Sequence, residues 1–168
     1  MSGKNTNPAR QGRHDRLIQE RNHDPYKAQK KLPDPTLCTE CKAVFTGSRW
    51  QWTEKITRPM NTTLCPACSR IHEKIPAGIL KVRGEFFQQH RDEILRLVQN
   101  KMDREKAQHP LKRLMNVEDK HDGSILVTFT DTHSPRDIGK ALANAYHGEL
   151  DIHYAEDEDL TRVTWSRW

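Results

Sequence analysis

The spacing of apolar residues divides the chain into four segments. Residues 1–36 have almost no hydrophobic period and few aliphatic side chains, which predicts a polar arm without a core of its own. In residues 37–78 the stretch VFTGSRWQW alternates apolar and polar positions. That alternation predicts a β-hairpin that turns through Thr46, Gly47 and Ser48.

Residues 79–110 change from a strand pattern to a helical one. ILKVRG predicts a short strand, and an amphipathic helix is expected from about Glu85 to a point before Pro110. The apolar stripe at helical spacing consists of Phe87, Ile94, Leu97, Val98 and Met102.

Residues 111–168 predict the element order β-β-α-β-β. The first two strands, LKRLMNVED and SILVTFTD, meet at an Asp122-Gly123 turn. Ser134 as N-cap and Pro135 at the first helical position open the helix, and Gly148 stops it. Its predicted buried face is Ile138, Ala141, Leu142, Ala145 and Tyr146, and the last strands are ELDIHYA and TRVTW.

Together these patterns predict an α+β protein. A basic flexible arm (1–36) precedes a four-cysteine zinc ribbon (37–78), a connecting amphipathic helix (79–110) and an acidic two-layer ββαββ module (111–168). Apolar residues make up 34% of the 168, below the roughly 45–50% of average domains, which favours small modules over one large core.

The charge is unevenly distributed. Residues 1–115 carry 23 Lys and Arg against 12 acidic residues, whereas residues 116–168 carry five against eleven. A basic front of this length suggests that a polyanion binds there. The alternative is that the cations only keep a small protein in solution.

Four cysteines occur as Cys38-x2-Cys41 and Cys65-x2-Cys68, separated by 23 residues. No stretch resembles a secretory signal or approaches the ~20 apolar residues of a membrane span, so we expect a cytoplasmic protein without disulfides. Two such pairs predict one structural Zn²⁺ bound by four thiolates. An iron–sulfur centre is the alternative with the same ligands. His72 is expected to be a surface or packing residue.

Trp50 and Trp52 lie two apart on the predicted hairpin and should share one face. They either form the core of the ribbon or stack on unpaired bases, with cations nearby to contact phosphates. The predicted RNA-binding residues are Arg10, Arg13, Arg16, Arg21, Lys30, Lys31, Arg49, Trp50, Trp52 and Arg58.

No nucleophile elbow, phosphate-binding loop or dinucleotide glycine pattern occurs, so we expect a non-enzymatic protein without a small-molecule substrate. HSPRD (133–137) predicts a helix start, with a phosphate held by His133, Arg136 and the helix N-terminus as the alternative. AEDEDL (155–160) predicts an acidic turn and not a metal loop, because its oxygens lack EF-hand spacing.

Several stretches resemble known proteins. TDTHSPRDIGKALANAYHGELDIHY resembles a segment of the archaeal and eukaryotic adaptor family for export and maturation of the large ribosomal subunit, a family also linked to nonsense-mediated decay. RHDRLIQE, LCPACSRIHEKIPAG and FFQQHRDEIL make the whole chain similar to a group of small bacterial proteins placed near it. The adaptor family has more CxxC pairs and further domains, so the resemblance implies binding to ribosomes or structured RNA, not nuclear export.

The expected function is therefore that of a zinc-stabilised rRNA-binding protein at the large ribosomal subunit, in assembly, protection or hibernation, with ribosomal proteins as further partners. The alternative is a zinc ribbon that binds another protein, for example as a transcription-associated adaptor.

Overall fold

The computed structural model describes residues 32–168, and the predicted arm, apart from its last five residues, lies outside this part of the chain. The described residues form an α+β structure with two mixed sheets and four helices, as the α+β prediction requires. None of these helices combines the length and apolar character needed to cross a membrane.

The first sheet and one helix form what we call the cysteine unit. Its strands pair in the order β3-β2-β1-β4, and the helix α1 follows β4. The elements are β1 (Thr36–Cys38), β2 (Val44–Thr46), β3 (Arg49–Gln51), β4 (Asn61–Thr63) and α1 (Pro66–Glu73). The predicted hairpin is confirmed: Thr46 pairs with Arg49, and Gly47 and Ser48 turn the chain with φ of 59° and 65°.

The second sheet forms the base of what we call the sheet unit. Its strands are β5 (Gly78–Arg83), β6 (Leu114–Asp119), β7 (Ile125–Phe129), β8 (Glu149–Ala155) and β9 (Leu160–Ser166), in the order β6-β7-β5-β9-β8. The central strand β5 runs antiparallel to β7 and parallel to β9.

The position of β5 corrects the prediction of a four-stranded ββαββ module. ILKVRG does form a strand, but it pairs between β7 and β9, where Leu80 and Val82 are fully buried in the main core. The apolar face of the sheet is continuous from β7 to β9 only when β5 lies between these two strands. Segments on both sides of the predicted boundary at residues 110/111 consequently share one core.

Three helices cover one face of this sheet: α2 (Glu85–Gln89), α3 (Arg91–Gln108) and α4 (His133–Tyr146). The single helix predicted from Glu85 is wrong in one respect, because His90 leaves helical geometry and separates α2 from α3. The break lets Phe87 of α2 and the Ile94–Val98–Met102 stripe of α3 enter the same core.

The start of α4 also differs from the prediction. Helix α4 begins at His133, and Ser134 does not cap it. Asp131 does so instead, since its Oδ2 accepts hydrogen bonds from the amides of His133 (3.1 Å) and Ser134 (2.9 Å). A carboxylate that already satisfies these amides leaves no free anion site at the predicted HSPRD position.

The buried face of α4 is centred on Ile138, Gly139 and Leu142, whereas the predicted Ala145 is exposed. Gly139 allows the helix to approach the sheet closely. A Cβ there would lie 2.8 Å from both Leu150 Cδ1 and Val163 Cγ1.

Candidate metal centre and adjoining cleft

The backbone of the cysteine unit brings the two CxxC pairs together. Cys38 ends β1, and Cys41 lies in the tight turn that leads to β2. Strand β4 runs parallel to β1 with Thr63 opposite Cys38, so the chain reaches Cys65 beside the first pair. Cys65 is the N-cap of α1, which places Cys68 one turn into the helix.

The four sulfurs have the geometry of one ion-binding site. They all lie within 4.8 Å of one another, and Cys41 Sγ is 3.8 Å from Cys65 Sγ. Four sulfurs bound at about 2.3 Å around a tetrahedral ion lie about 3.8 Å apart. All four cysteines are free of disulfides, and three of them are buried. The predicted ligand set therefore forms a candidate metal site.

Backbone amides point at two of the sulfurs. The Cys65 amide donates to Cys38 Sγ and the Cys68 amide donates to Cys65 Sγ, each at 3.3 Å. Donors of this kind stabilise thiolates and orient ligands before an ion binds. His72 is not part of the cluster; its Nε2 lies 3.3 Å from Glu40 at the surface, as predicted for a surface residue.

The thiols differ in acidity because burial and amide donors compete. Burial raises the pKa of Cys65 far above its usual range, and repulsion by Cys41 and Cys68 adds to the effect. Burial likewise raises the pKa of Cys68 to about 11. Burial also opposes ionisation of Cys38, but amide donors, led by that of Cys41, outweigh it and lower its pKa to about 6.

Metal binding should therefore release the protons of Cys65 and Cys68 near neutral pH, because both thiols are protonated there before they bind an ion. Loss of at least two protons per ion makes the apparent affinity fall by about a hundredfold or more for each pH unit below neutrality. Calorimetric titration of zinc into chelator-treated protein, in buffers of different ionisation enthalpy, measures this release. A binding enthalpy that does not change with the buffer would contradict it.

The two tryptophans lie in different environments and do not share one face. Trp50 is only 9% exposed and packs in the core of the cysteine unit, 5.6 Å from Phe45 between ring centroids. Trp52 lies beyond the end of β3 and is 37% exposed. Its Nε1–H donates to the Lys106 carbonyl at 2.7 Å, one of the carbonyls that the end of α3 leaves unpaired. Trp52 therefore connects the cysteine unit to α3.

The other predicted RNA-binding residues are only partly within the described chain. Arg49 is exposed on β3, and Arg58 is exposed 3.7 Å from Asp34. The remaining predicted contacts, Arg10, Arg13, Arg16, Arg21, Lys30 and Lys31, lie outside the described residues. Their role stays a prediction.

The acidic segment near the C-terminus forms a short 3₁₀ turn, Glu156–Glu158. Glu158 pairs with Arg162 at 3.0 Å, and Asp159 accepts a hydrogen bond from Tyr154. The predicted acidic turn is therefore present in the structure.

A cleft of about 830 Å³ lies between the cysteine unit and the sheet unit, and the sequence did not predict it. Arg49, Trp52 and Arg70 line one side, and residues 107–112 and 130–133 line the other. Arg113 is buried just behind Trp52, with its guanidinium carbon 5.5 Å from the ring centroid. The lining residues come from segments far apart in the sequence, so no local pattern could have indicated such a site.

Comparison with known proteins adds no relative to this description. No family model matches the chain, and no curated protein or solved structure is significantly similar to it. The resemblance to the ribosomal-subunit adaptor family stays a prediction, and the function has to be inferred from the metal site, the charge and the cleft.

Proposed function

We propose that this protein is a non-enzymatic, zinc-stabilised RNA-binding protein that acts on the ribosome at its large subunit, in assembly, protection or hibernation. One observation carries the proposal: the segment that contains the four cysteines exposes more cationic than acidic side chains, five against three. Five of the six Lys and Arg residues of segment 37–78 have exposed side chains. They are Lys42, Arg49, Lys55, Arg58 and Lys74. Cations on a rigid platform suit phosphate binding.

Zinc is the proposed ion because four thiolates at tetrahedral spacing are its typical structural ligand set. A site closed by four cysteines has no position for water or substrate, so the ion would stabilise the fold and would not catalyse a reaction. In this interpretation Cys38, Cys41, Cys65 and Cys68 hold the platform together, and the predicted basic arm extends the contact with rRNA. Phosphate contacts position a protein without reading sequence, so specificity would depend on RNA shape.

Retention on ribosomes should fall steeply with salt if phosphates supply the affinity. If three or more phosphates are neutralised, affinity falls roughly 20-fold or more between 50 and 200 mM salt. Sedimentation of a tagged copy with ribosomal particles at several salt concentrations measures the slope. Arg49→Gln and Lys55→Gln should each reduce that slope by about one. A protein that stays free of ribosomes at the lowest salt would refute the proposal.

Binding of another protein, for example as a transcription-associated adaptor, is the second candidate. Exposed apolar side chains near α1 favour it: Leu64, Ile71 and Ile75 are 37%, 37% and 47% exposed. Co-purification before and after nuclease treatment distinguishes the candidates. Partners lost with the RNA support the ribosomal proposal, and a defined partner that survives nuclease and is lost from Ile71→Ser and Ile75→Ser variants supports this one.

A further inference from the structure

We propose that the cleft between the cysteine unit and the sheet unit binds one unpaired nucleotide of the RNA partner, with the base against Trp52 and the phosphate near Arg49. This inference rests on the proposed RNA-binding function and identifies the ligand class of one site within it. The volume of the cleft, about 830 Å³, lies in the range of roughly 300–1,000 Å³ that is usual for small-ligand sites.

Trp52 supplies an aromatic surface whose orientation is fixed. Its indole N–H is held by the Lys106 carbonyl at 2.7 Å, and the ring remains 37% exposed at the cleft. A ring that is already positioned loses little freedom when a base stacks on it. Stacking of one base on an aromatic side chain changes affinity roughly 5- to 150-fold.

A buried positive charge lies behind this ring. Arg113 is 7% exposed, its Nε donates to the Pro110 carbonyl at 2.6 Å, and its Nη2 has no hydrogen-bond partner. The Arg113 guanidinium lies over the Trp52 ring. It forms no ion pair with a carboxylate of the described residues. A buried cation without a counter-ion is costly, and its field extends into the cleft, where an anion would offset it.

The charged groups that line the cleft are of both signs, and the cations are Arg49, Arg70 and Lys112. Arg70 is buried in the lining and donates from Nη1 to the Ile75 carbonyl at 3.1 Å, whereas the side chain of Arg49 is exposed at the rim. Two carboxylates also lie in the lining: Asp131, whose Oδ2 caps α4 and whose buried Oδ1 has no hydrogen-bond partner, and Asp159, which accepts from the Tyr154 hydroxyl. A planar aromatic surface beside positive charge suits a nucleotide better than an acidic peptide, which has no group to stack.

The test compares two RNA hairpins of equal length, one fully paired and one with a single bulged 2-aminopurine. We expect the wild-type protein to prefer the bulged hairpin and to change its 2-aminopurine fluorescence. Trp52→Leu should weaken binding of the bulged hairpin by roughly 5- to 150-fold and leave binding of the paired hairpin unchanged. Trp52→Phe keeps an aromatic ring without the N–H and should retain most of the preference.

Two controls separate stacking from loss of fold and from loss of charge. Metal content and thermal unfolding of each Trp52 variant must match those of the wild type, and Trp52→Phe reports stacking if Trp52→Leu fails to fold. Arg104→Gln removes an exposed α3 cation outside the cleft and should weaken binding of both hairpins equally. Arg49→Gln should weaken the bulged one more.

The outcomes distinguish this inference from the function on which it rests. A wild-type protein that binds neither hairpin nor ribosomes refutes the proposed function. Equal binding of both hairpins, or a preference for the bulge that Trp52→Leu and Arg49→Gln leave intact, overturns the cleft assignment while RNA binding stands. Displacement of the bulged RNA by a polyglutamate peptide whose binding needs Arg49 but not Trp52 also overturns it, in favour of an acidic protein ligand.

Discussion

A Cys65→Ser variant should bind no stoichiometric metal and should lose the folded structure of residues 36–73, while residues 78–166 stay folded. Cys65 is fully buried; its Sγ lies 3.8 Å from that of Cys41 and accepts the amide of Cys68. Three of the six residues in the buried core of this unit are cysteines, so little apolar area remains once the ion is lost. Structural zinc contributes about 10–16 kcal/mol in small domains, as much as the whole stability of an ordinary domain.

Hydrogen exchange resolves this outcome strand by strand. In Cys65→Ser the amides of β1–β4 should exchange at rates near those of an unfolded chain, and the amides of β5, β7 and β9 should stay protected. Ser69→Ala, a matched change four residues later in α1, should leave both metal content and protection unchanged. Normal protection of β1–β4 in a metal-free Cys65→Ser protein would show that the cysteine unit does not depend on an ion.

The metal site could be predicted because its information is local. Each CxxC pair specifies one turn, whereas the helix α1 that follows Cys65 was not predicted, although Pro66 at its start is a local signal for one. The parallel pairing of β1 with β4, which puts Cys38 opposite Thr63, joins segments more than twenty residues apart. No periodicity encodes such a pairing, so the sequence predicted the ligands but not the strand order that assembles them.

The sheet unit shows the same division between local and non-local information. Apolar alternation located its strands, and the Asp122-Gly123 turn is confirmed by the antiparallel pairing of β6 with β7. The insertion of β5 between β7 and β9 depends on which strand best completes the apolar face, and that is settled only in the assembled core. A six-residue strand followed by two helices carries no signal for a central position.

Trp52 shows why the cleft could not be predicted. A strand continued from Trp50 would have placed both rings on one face, but β3 ends at Gln51 and the chain turns towards α3. The ring is then held by a carbonyl 54 residues away in sequence. A cleft formed by such contacts involves residues from distant segments, and none of them is distinctive within its own segment.

A Trp165→Ala variant should destabilise the sheet unit by about 3–5 kcal/mol, the usual cost of truncating a large buried aromatic residue. Trp165 is fully buried on β9, beside the central strand, with its ring centroid 6.4 Å from those of Phe86 and Tyr146. Its Nε1–H donates to the His147 carbonyl at 2.7 Å, so truncation also leaves a partly buried acceptor without its donor.

Trp168→Ala is the matched control, because this ring, three residues later, is 78% exposed and its loss should change stability by no more than about 0.5 kcal/mol. Urea unfolding of zinc-loaded protein, followed by exchange of β5 and β7 amides, separates the sheet unit from the cysteine unit. If Trp165→Ala fails to fold, Trp165→Phe should still lower the midpoint measurably. A cavity the size of the Trp165 side chain in a shared core must lower stability. Equal midpoints for wild type, Trp165→Ala and Trp168→Ala would therefore mean that α2, α4 and β9 do not pack around the Trp165 ring.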